Sequence, residues 1–492
     1  MPPEPTHARF REWFSPIVHL SSNFISRVGV VLVTIGGVLW LYLLPMALRG
    51  EVVHPYIGIL IFMGLPAVFF GGLLLIAAGI AIQKHRELRR GVYPAKFPPL
   101  DFNNREFRHL LLFVGIATMA NIVIGTQLVY GGVTYMDSVT FCGRTCHTVM
   151  KPEYVTYLHS PHARVACVQC HIGPGASWFV RSKLSGVHQV FAVLLNTYPR
   201  PIPVPISNLR PARETCEQCH WPARFEGNRL VIIPHYATDQ ANTRTTTVLL
   251  MHIGGGNGQG GIHGAHVAAG VRILYGADPS RQKVHWVEYE NTRTGKKLLY
   301  VDNQTHSATI HFQTGRSMDC IDCHNQPAHQ FHLPNEAMNT ELAAGRIDAQ
   351  LPYIKREGVA LLKASYRTQQ EATQSIPRAL TEFYRTKFPV VAARQQQAIA
   401  RSASALAQIY RDNVFPRMKI GWGYYPNNLG HMAFPGCFRC HGNLHLAGHA
   451  DETLTQDCTV CHNPLAIQSP NPAILQQLGL TGTQPQGVNP GQ

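Results

Sequence analysis

Charged residues are scarce in this sequence: Asp, Glu, Lys and Arg make up 14% of its 492 residues instead of the usual quarter or so. Acidic residues are the scarcer kind, because 28 of them stand against 43 basic residues, which leaves a formal net charge of +15. The 45% hydrophobic content excludes a disordered chain, and the 42 glycines are too few for a collagen-like repeat. The basic excess alone would indicate a nucleic acid or a membrane surface as partner.

Unpaired cysteines are absent, since the twelve cysteines form six close pairs and a histidine follows the second member of every pair. Cys-x-x-Cys-His is the attachment motif of c-type haem, in which two thiols bind the porphyrin and the histidine binds the iron. Five pairs fit this motif, and the first pair has one extra residue between its thiols. The pairs are Cys142/Cys146, Cys167/Cys170, Cys216/Cys219, Cys320/Cys323, Cys437/Cys440 and Cys458/Cys461.

Zinc knuckles and structural disulfides are the rival interpretations of close cysteine pairs. Neither requires a histidine directly after each second cysteine, and a two-residue spacing suits a disulfide scaffold poorly. The sequence therefore predicts six covalently bound haem c groups, numbered haem 1 to haem 6 in chain order. Their predicted proximal iron ligands are His147, His171, His220, His324, His441 and His462.

Three uncharged stretches precede the first motif, Val28–Leu48, Pro55–Gln83 and Leu110–Met136, and each is long enough to cross a bilayer. A cleaved signal peptide is disfavoured for the first stretch, because its end lacks a small-residue cleavage site. Seven basic residues lie between the second and third stretches, which predicts a cytoplasmic loop there. The chain from Asp137 onward is then predicted to lie in the periplasm of a bacterium, anchored in the inner membrane.

The positive charge has another meaning once haem is included. The sequence after Met136 carries 32 basic and 22 acidic residues, and six haems would add twelve propionates. The haem carboxylates balance most of this excess, so we expect the lipid bilayer as a partner and no nucleic acid.

Electron-transfer haems usually take a second axial ligand, commonly His or Met. Fifteen histidines after Met136 lie outside the motifs, so most of them cannot be ligands. Some of these histidines lie close to a motif in the sequence, which favours them as ligands. Others lie in a glycine-rich stretch, where bare backbone could approach a haem. Met150 could bind the iron of haem 1 or could simply pack at the membrane surface. The candidate distal ligands are Met150, His159, His162, His252, His263, His266, His329, His431 and His445.

The predicted fold class is a membrane-anchored multihaem cytochrome c: three N-terminal transmembrane helices, then a mostly α or irregular periplasmic haem domain. Alternating apolar and polar residues predict a small β-rich insertion, and helical spacing predicts a helical segment after the fourth motif. The predicted parts are a cytoplasmic N-terminus (1–27), a three-helix anchor (28–136), haems 1–3 (137–226), the β insertion (227–314), the haem 4 region (315–335), the helical segment (336–414), haems 5–6 (415–466) and a disordered tail (467–492).

The stretch from Glu153-Tyr154 to His159, followed by Val165-Ala166 and the second motif, resembles the NapC/NirT family of membrane-anchored multihaem cytochromes. The later region resembles longer six- or seven-haem relatives from metal-reducing and other anaerobic bacteria. The resemblance implies quinol oxidation at the outer face of the inner membrane, with electrons passed to periplasmic cytochromes or reductases. It also implies a lysine near the quinol, which corresponds by position to Lys183. Asp137, at the interface, is a second candidate for handling the quinol's protons.

The sequence therefore predicts a quinol dehydrogenase that oxidises menaquinol or ubiquinol in anaerobic respiration or extracellular electron transfer. Two alternatives stay open. One is an electron-relay or anchoring subunit of a larger redox complex, with no enzymatic activity of its own. The other is a terminal reductase of the nitrite or hydroxylamine type, which needs an iron with an open axial position. Association into homo- or hetero-oligomers is also left open.

The number of covalent haems is the first testable prediction. Intact-mass measurement of the mature chain should exceed the polypeptide mass by six haems. A chain with five haems would mean that the first motif, with its extra residue, does not bind haem.

Overall fold

Two compact units follow each other along the chain in the computed structural model, Met1–Thr145 and Cys146–Gln492. Each is described by itself. The described residues are 16, 19–21, 23–48, 64–94, 112, 116, 119, 123–124, 127, 130–145, 147–173, 176–206, 210–221, 226–255, 260–303 and 315–480.

The first unit is built on two packed helices, α1 (Phe24–Leu48) and α2 (Leu65–Arg90). Their backbones approach closely at glycine, because a Cβ on Gly29 would lie 2.6 Å from the carbonyl oxygen of Gly72. Such contact over small residues is typical of helices that pack within a bilayer, where van der Waals contact replaces the hydrophobic effect.

One helix among the described residues, α2, is long and apolar enough to cross a membrane, and Phe24–Thr34 of α1 is a shorter apolar stretch. The predicted span Val28–Leu48 lies within α1. The first nine residues of the predicted span Pro55–Gln83 and most of Leu110–Met136 lie outside the described residues.

The second unit combines short helices at the cysteine motifs with longer helices elsewhere. Its helices are α3 (His147–Leu158), α4 (Cys167–His171), α5 (Ala176–Leu194), α6 (Ala212–Cys216), α7 (Gly261–His266), α8 (Cys320–Cys323), α9 (Pro334–Ala343), α10 (Ile354–Lys363), α11 (Gln369–Lys387), α12 (Pro389–Arg394), α13 (Gln396–Asn413), α14 (Phe438–His441), α15 (Cys458–Cys461) and α16 (Ala473–Gln477).

The strands of this unit form two antiparallel sheets, with the orders β1-β2-β9 and β6-β3-β4-β5-β7-β8. The last three strands come from the region of the fifth and sixth motifs, so both sheets join the insertion to the end of the chain. The strands are β1 (Arg229–Tyr236), β2 (Arg244–Met251), β3 (Val271–Ala277), β4 (Val284–Asn291), β5 (Lys296–Val301), β6 (Arg316–Ser317), β7 (His445–Leu446), β8 (His449–Thr453) and β9 (His462–Ser469).

The β structure is more extensive than the predicted insertion, and the prediction of a disordered tail from residue 467 is wrong at its start. β9 runs to Ser469 and pairs with β2, and α16 follows it. The physical reason is that β2 would otherwise expose an edge of unpaired backbone groups, which β9 satisfies. Residues 481–492 lie outside the described residues.

Helices α9 to α13 share one hydrophobic core. The side chains of Ala372, Ile376, Leu380 and Tyr384 recur every four residues along α11 and are fully buried in it. This spacing places them on one helix face, so their burial stabilises a long helix. Pro377 lies inside α11 on another face, although a proline inside a helical pattern usually marks the end of a helix or a kink.

Truncation of this core should destabilise the helical segment. Leu380→Ala removes a fully buried side chain, and we expect it to lower the free energy of unfolding by about 2–5 kcal/mol, measured by urea denaturation followed by circular dichroism. Val390→Ala is the control, because that side chain is 63% exposed and should change stability by less than about 0.5 kcal/mol. Equal losses would contradict the assigned core.

Candidate haem sites

The second, fourth, fifth and sixth motifs form short helical turns, namely α4, α8, α14 and α15, and the third begins as α6 ends. Residues three apart lie on the same face of a helical turn, so Cys-x-x-Cys presents both thiols to one side. This arrangement suits two thioether bonds to one porphyrin edge. Cys146 and the side chain of His147, in the first motif, lie outside the described residues.

Cys219, the second predicted haem-binding thiol of the third motif, departs from this helical arrangement. It follows the end of α6 in a turn, where its amide donates to the carbonyl oxygen of Cys216 at 3.1 Å. The Cys219 side chain is exposed, whereas that of Cys216 is half-buried. A thioether bond requires that the porphyrin edge can reach the thiol, so exposure is compatible with this bond. The same exposure is seen at Cys170, Cys437 and Cys458.

Five motif histidines each face a second imidazole ring that comes from elsewhere in the chain. The distances between ring centroids are 6.2 Å for His171–His329, 5.9 Å for His162–His220, 6.4 Å for His263–His324, 5.9 Å for His266–His441 and 6.1 Å for His431–His462.

These distances fit a haem iron between each pair of rings. An imidazole nitrogen binds a metal ion at about 2 Å, so two rings on opposite sides of one iron have centroids roughly 6 Å apart. Rings in direct van der Waals stacking would lie closer together. The spacing therefore leaves room for an iron and for the porphyrin plane around it.

Hydrogen bonds orient several of these rings. The Nδ1 atoms of His162, His329, His266 and His441 lie 2.7–3.0 Å from backbone carbonyl oxygens, to which a protonated Nδ1 donates. This tautomer leaves the Nε2 lone pair of each ring available to a metal ion, and such second contacts fix the ring orientation.

Burial keeps several of the paired rings neutral, which is the form that binds iron. Burial is the main cause that lowers the pKa values of His171, His324, His263 and His266. The pKa of His329 falls to about 4, because burial and the nearby His171 both oppose a second positive charge.

Contacts join the second, third and fourth motifs in that order. Gly173, after the second motif, lies under the Arg210 side chain, whose guanidinium pairs with Glu214 at 2.8 Å just before the third motif. The amide of Ala212, where α6 begins, donates to the carboxylate of Asp319 at 2.8 Å, which brings the third and fourth motifs together.

The contacts continue to the fifth and sixth motifs. Arg439, inside the fifth motif, donates to the carbonyl oxygen of Asp322 in the fourth at 2.5 Å. His441 contacts the carbonyl oxygen of Thr455, and Gln456 donates to that of Gly442, just before the sixth motif. Motifs two to six therefore form an unbroken series in chain order.

Comparison with known proteins identifies the family of the chain. The NapC/NirT cytochrome c family, N-terminal region, matches residues 104–201. The cytochrome c-type protein ImcH of Geobacter sulfurreducens is 38% identical over 455 residues, which cover 91% of this chain and 89% of that protein. The chain belongs to the NapC/NirT family of membrane-anchored multihaem c-type cytochromes.

A second relative of this NapC/NirT cytochrome matches a shorter part of the chain. The cytochrome c-type protein NrfH of Wolinella succinogenes is 32% identical over 90 residues, which cover 18% of this chain and half of that protein. No solved structure matches the chain. The family assignment establishes covalently bound haem c and a role in electron transport.

Four predicted distal ligands of this cytochrome make other contacts. In the described part of the chain, His159, His252 and His445 face no motif imidazole. His159 lies 3.9 Å from Asp412, His252 contacts Asn228, and His445 pairs with β5 and β8. Met150 packs against a hydrophobic cluster that includes Val149, Phe415 and Tyr425, which is the packing role left open by the sequence.

The two predicted quinol-site residues lie on different elements. Asp137 follows a helical stretch, residues 130–136, and its backbone amide donates to the carbonyl oxygen of Val133 at 3.0 Å. Lys183 lies in α5, but its side chain is outside the described part of the structure.

A buried carboxylate at the fourth motif escaped the sequence analysis. Asp322 is 3% exposed and accepts hydrogen bonds from the hydroxyl of Tyr275 at 2.6 Å and from Arg316 at 3.0 Å, and Arg281 lies 3.6 Å away. It also accepts from the amide of Asp319 and thereby caps α8. Arg316, six residues before Asp322, was the available local signal, whereas Arg281 and Tyr275 are distant in sequence.

Removing this carboxylate should loosen the fourth motif. Asp322→Ala leaves two arginines without their acidic partner, and we expect a loss of about 3–5 kcal/mol in the free energy of unfolding, measured by denaturant titration of the holoprotein. Asp457→Ala, which removes an exposed cap at the sixth motif, is the matched control and should cost less. The reverse order would contradict the assigned role of Asp322.

Proposed function

We propose that this cytochrome is a quinol dehydrogenase of the bacterial inner membrane, which passes electrons through six haems c to periplasmic acceptors. The observation that carries the proposal is the unbroken series of contacts that links motifs two to six. Electron tunnelling falls steeply with distance, so closely spaced haems in chain order suit transfer from one end of the haem domain to the other.

The five imidazole pairs support a proposed assignment of the axial ligands. We assign His329 to haem 2, His162 to haem 3, His263 to haem 4, His266 to haem 5 and His431 to haem 6, each opposite the histidine of the respective motif. Haem supplies reversible one-electron chemistry at its iron, and ligation by two histidines favours electron transfer. The chain's own residues hold the rings at the required spacing and keep them neutral.

The imidazole pairs also favour an electron-transfer protein over a terminal reductase. A reductase needs an iron with an open axial position, and the five described motif histidines each face a second ring. Haem 1 is the one site where the second ligand is not assigned. We place it beside the membrane, because Cys142 follows the last predicted span by six residues.

Membrane anchoring supports entry of the substrate's electrons at haem 1, the first haem of the series. We propose the three spans predicted from the sequence, with the chain after Met136 in the periplasm. A quinol headgroup is confined to the bilayer surface and would meet haem 1 first. Its oxidation releases two electrons, which enter the haem series, and two protons, for which Lys183 and Asp137 are the proposed acceptors.

Quinol-driven reduction of the purified protein tests the function. Under anoxic conditions a reduced menaquinone analogue should reduce the haems, followed by their absorption spectrum. We expect Lys183→Gln to slow this reduction by about tenfold or more, because it removes a proton-accepting group, yet to leave reduction by dithionite unchanged. Lys151→Gln is the control, since that exposed lysine contacts Gln369 on the helical segment.

Two outcomes would overturn parts of the proposal. Reduction by quinol only when a partner protein is present would favour the relay subunit over the quinol dehydrogenase. Equal rates in the two lysine variants would remove Lys183 from the quinol site.

A further inference from the structure

We infer that Gly254 and Gly261 form a backbone crossing that positions the distal histidines of haems 4 and 5 as one unit. The inference rests on the ligand pairs proposed above. Helix α7 carries both His263 and His266, which face the histidines of the fourth and the fifth motif. One helical turn therefore serves two neighbouring haems in the middle of the series.

Backbone hydrogen bonds hold α7 against the segment that continues from β2. The amide of Ile262 donates to the carbonyl oxygen of His252, and the amide of His263 donates to that of Ile253, each at 2.8 Å. On its other side, the amide of His252 donates to the carbonyl oxygen of Cys461 at 2.8 Å. The segment thus lies between α7 and the sixth motif.

The two glycines meet where this segment crosses the start of α7. A Cβ on Gly261 would lie 2.5 Å from the Cα of Gly254 and 2.6 Å from its nitrogen, and a Cβ on Gly254 would lie 2.7 Å from the Cα of Gly261. These neighbours are backbone atoms, which cannot rotate aside as a side chain can. Both glycines also have positive φ, at +65° and +72°, which side chains disfavour.

A side chain at the crossing would therefore move α7 as a whole. A haem iron would be bound by each imidazole nitrogen at about 2 Å, so a shift of the helix by a fraction of that distance would break both proposed bonds together. Gly254 and Gly261 are accordingly positioning residues: they act on the iron through His263 and His266.

The test compares spin states in the full-length holoprotein. Low-spin haem becomes high-spin when its distal ligand is lost, and electron paramagnetic resonance counts the high-spin fraction against total haem. We expect Gly261→Ala to convert two haems to the high-spin state, whereas His263→Ala and His266→Ala should convert one haem each. Added imidazole should restore the low-spin signal of Gly261→Ala, and an unchanged far-ultraviolet circular dichroism spectrum would distinguish the lost ligands from an unfolded domain.

Gly295→Ala is the matched control. Gly295, in the turn between β4 and β5, has φ of +71°, almost the same as Gly261, but a Cβ there would meet nothing within 4 Å. It carries the same backbone strain without the crossing, so all its haems should remain low-spin.

The outcomes distinguish the role of the glycine crossing from the proposed ligand pairs. If Gly261→Ala keeps every haem low-spin while His263→Ala converts one, the ligand pairs stand and the crossing has no positioning role. If His263→Ala converts none, the proposed ligand pair itself is wrong.

If the glycine variants do not accumulate in the cell, a measurement on the wild-type protein tests the inference instead. The amides of Ile262 and His263 should exchange with deuterium at least about tenfold more slowly than the exposed turn amide of Arg293. The reason is that both donate backbone hydrogen bonds across the crossing, which must open before exchange. Exchange as fast as at Arg293 would overturn the inference.

Discussion

Two imidazole ligands on one haem iron would have to approach it from opposite sides, and the ligand pairs proposed above would meet this requirement through the way the second unit folds. A cysteine motif supplies one ligand, so the other must come from a separate segment. Each of the five facing rings does come from outside the motif that it faces. The motifs are consequently interlocked with one another: His329 follows the fourth motif but faces the second, and His162 precedes the second but faces the third.

The two segments without motifs hold this arrangement in place. The β insertion supplies both imidazoles of α7, and its strand β2 pairs with β9, which begins at His462. The helical segment has its own hydrophobic core, and α13 packs against α3. The carbonyl oxygen of Glu153 on α3 in turn accepts the hydrogen bond from His329. Neither segment is peripheral to the haem sites.

The motifs and the types of structural element could be predicted from sequence, because their signals are local. Alternation at Val284–Tyr289 coincides with β4, and a Cys-x-x-Cys-His motif is complete within five residues. The ring pairs depend on contacts between distant segments, so closeness in sequence could not show which histidines face a motif, and His263 and His266 could not be assigned to particular motifs. The pairing of β9 with β2 was also missed. The sequence of β9, which contains Pro464 and Gln468, carries little strand signal of its own, and its partner strand is distant in sequence.

The order of the proposed ligand pairs along the chain has a consequence for the translocation that the proposed periplasmic location requires. Four of the five facing histidines precede the motif they face, so in a chain that emerges from its N-terminus the partner is already present when the motif appears. The second motif is the exception, because His329 emerges only after the fourth motif has passed. Under the proposed ligand pairs, the second motif would therefore acquire its partner ring only after the third and fourth motifs have theirs, although it emerges before both of them.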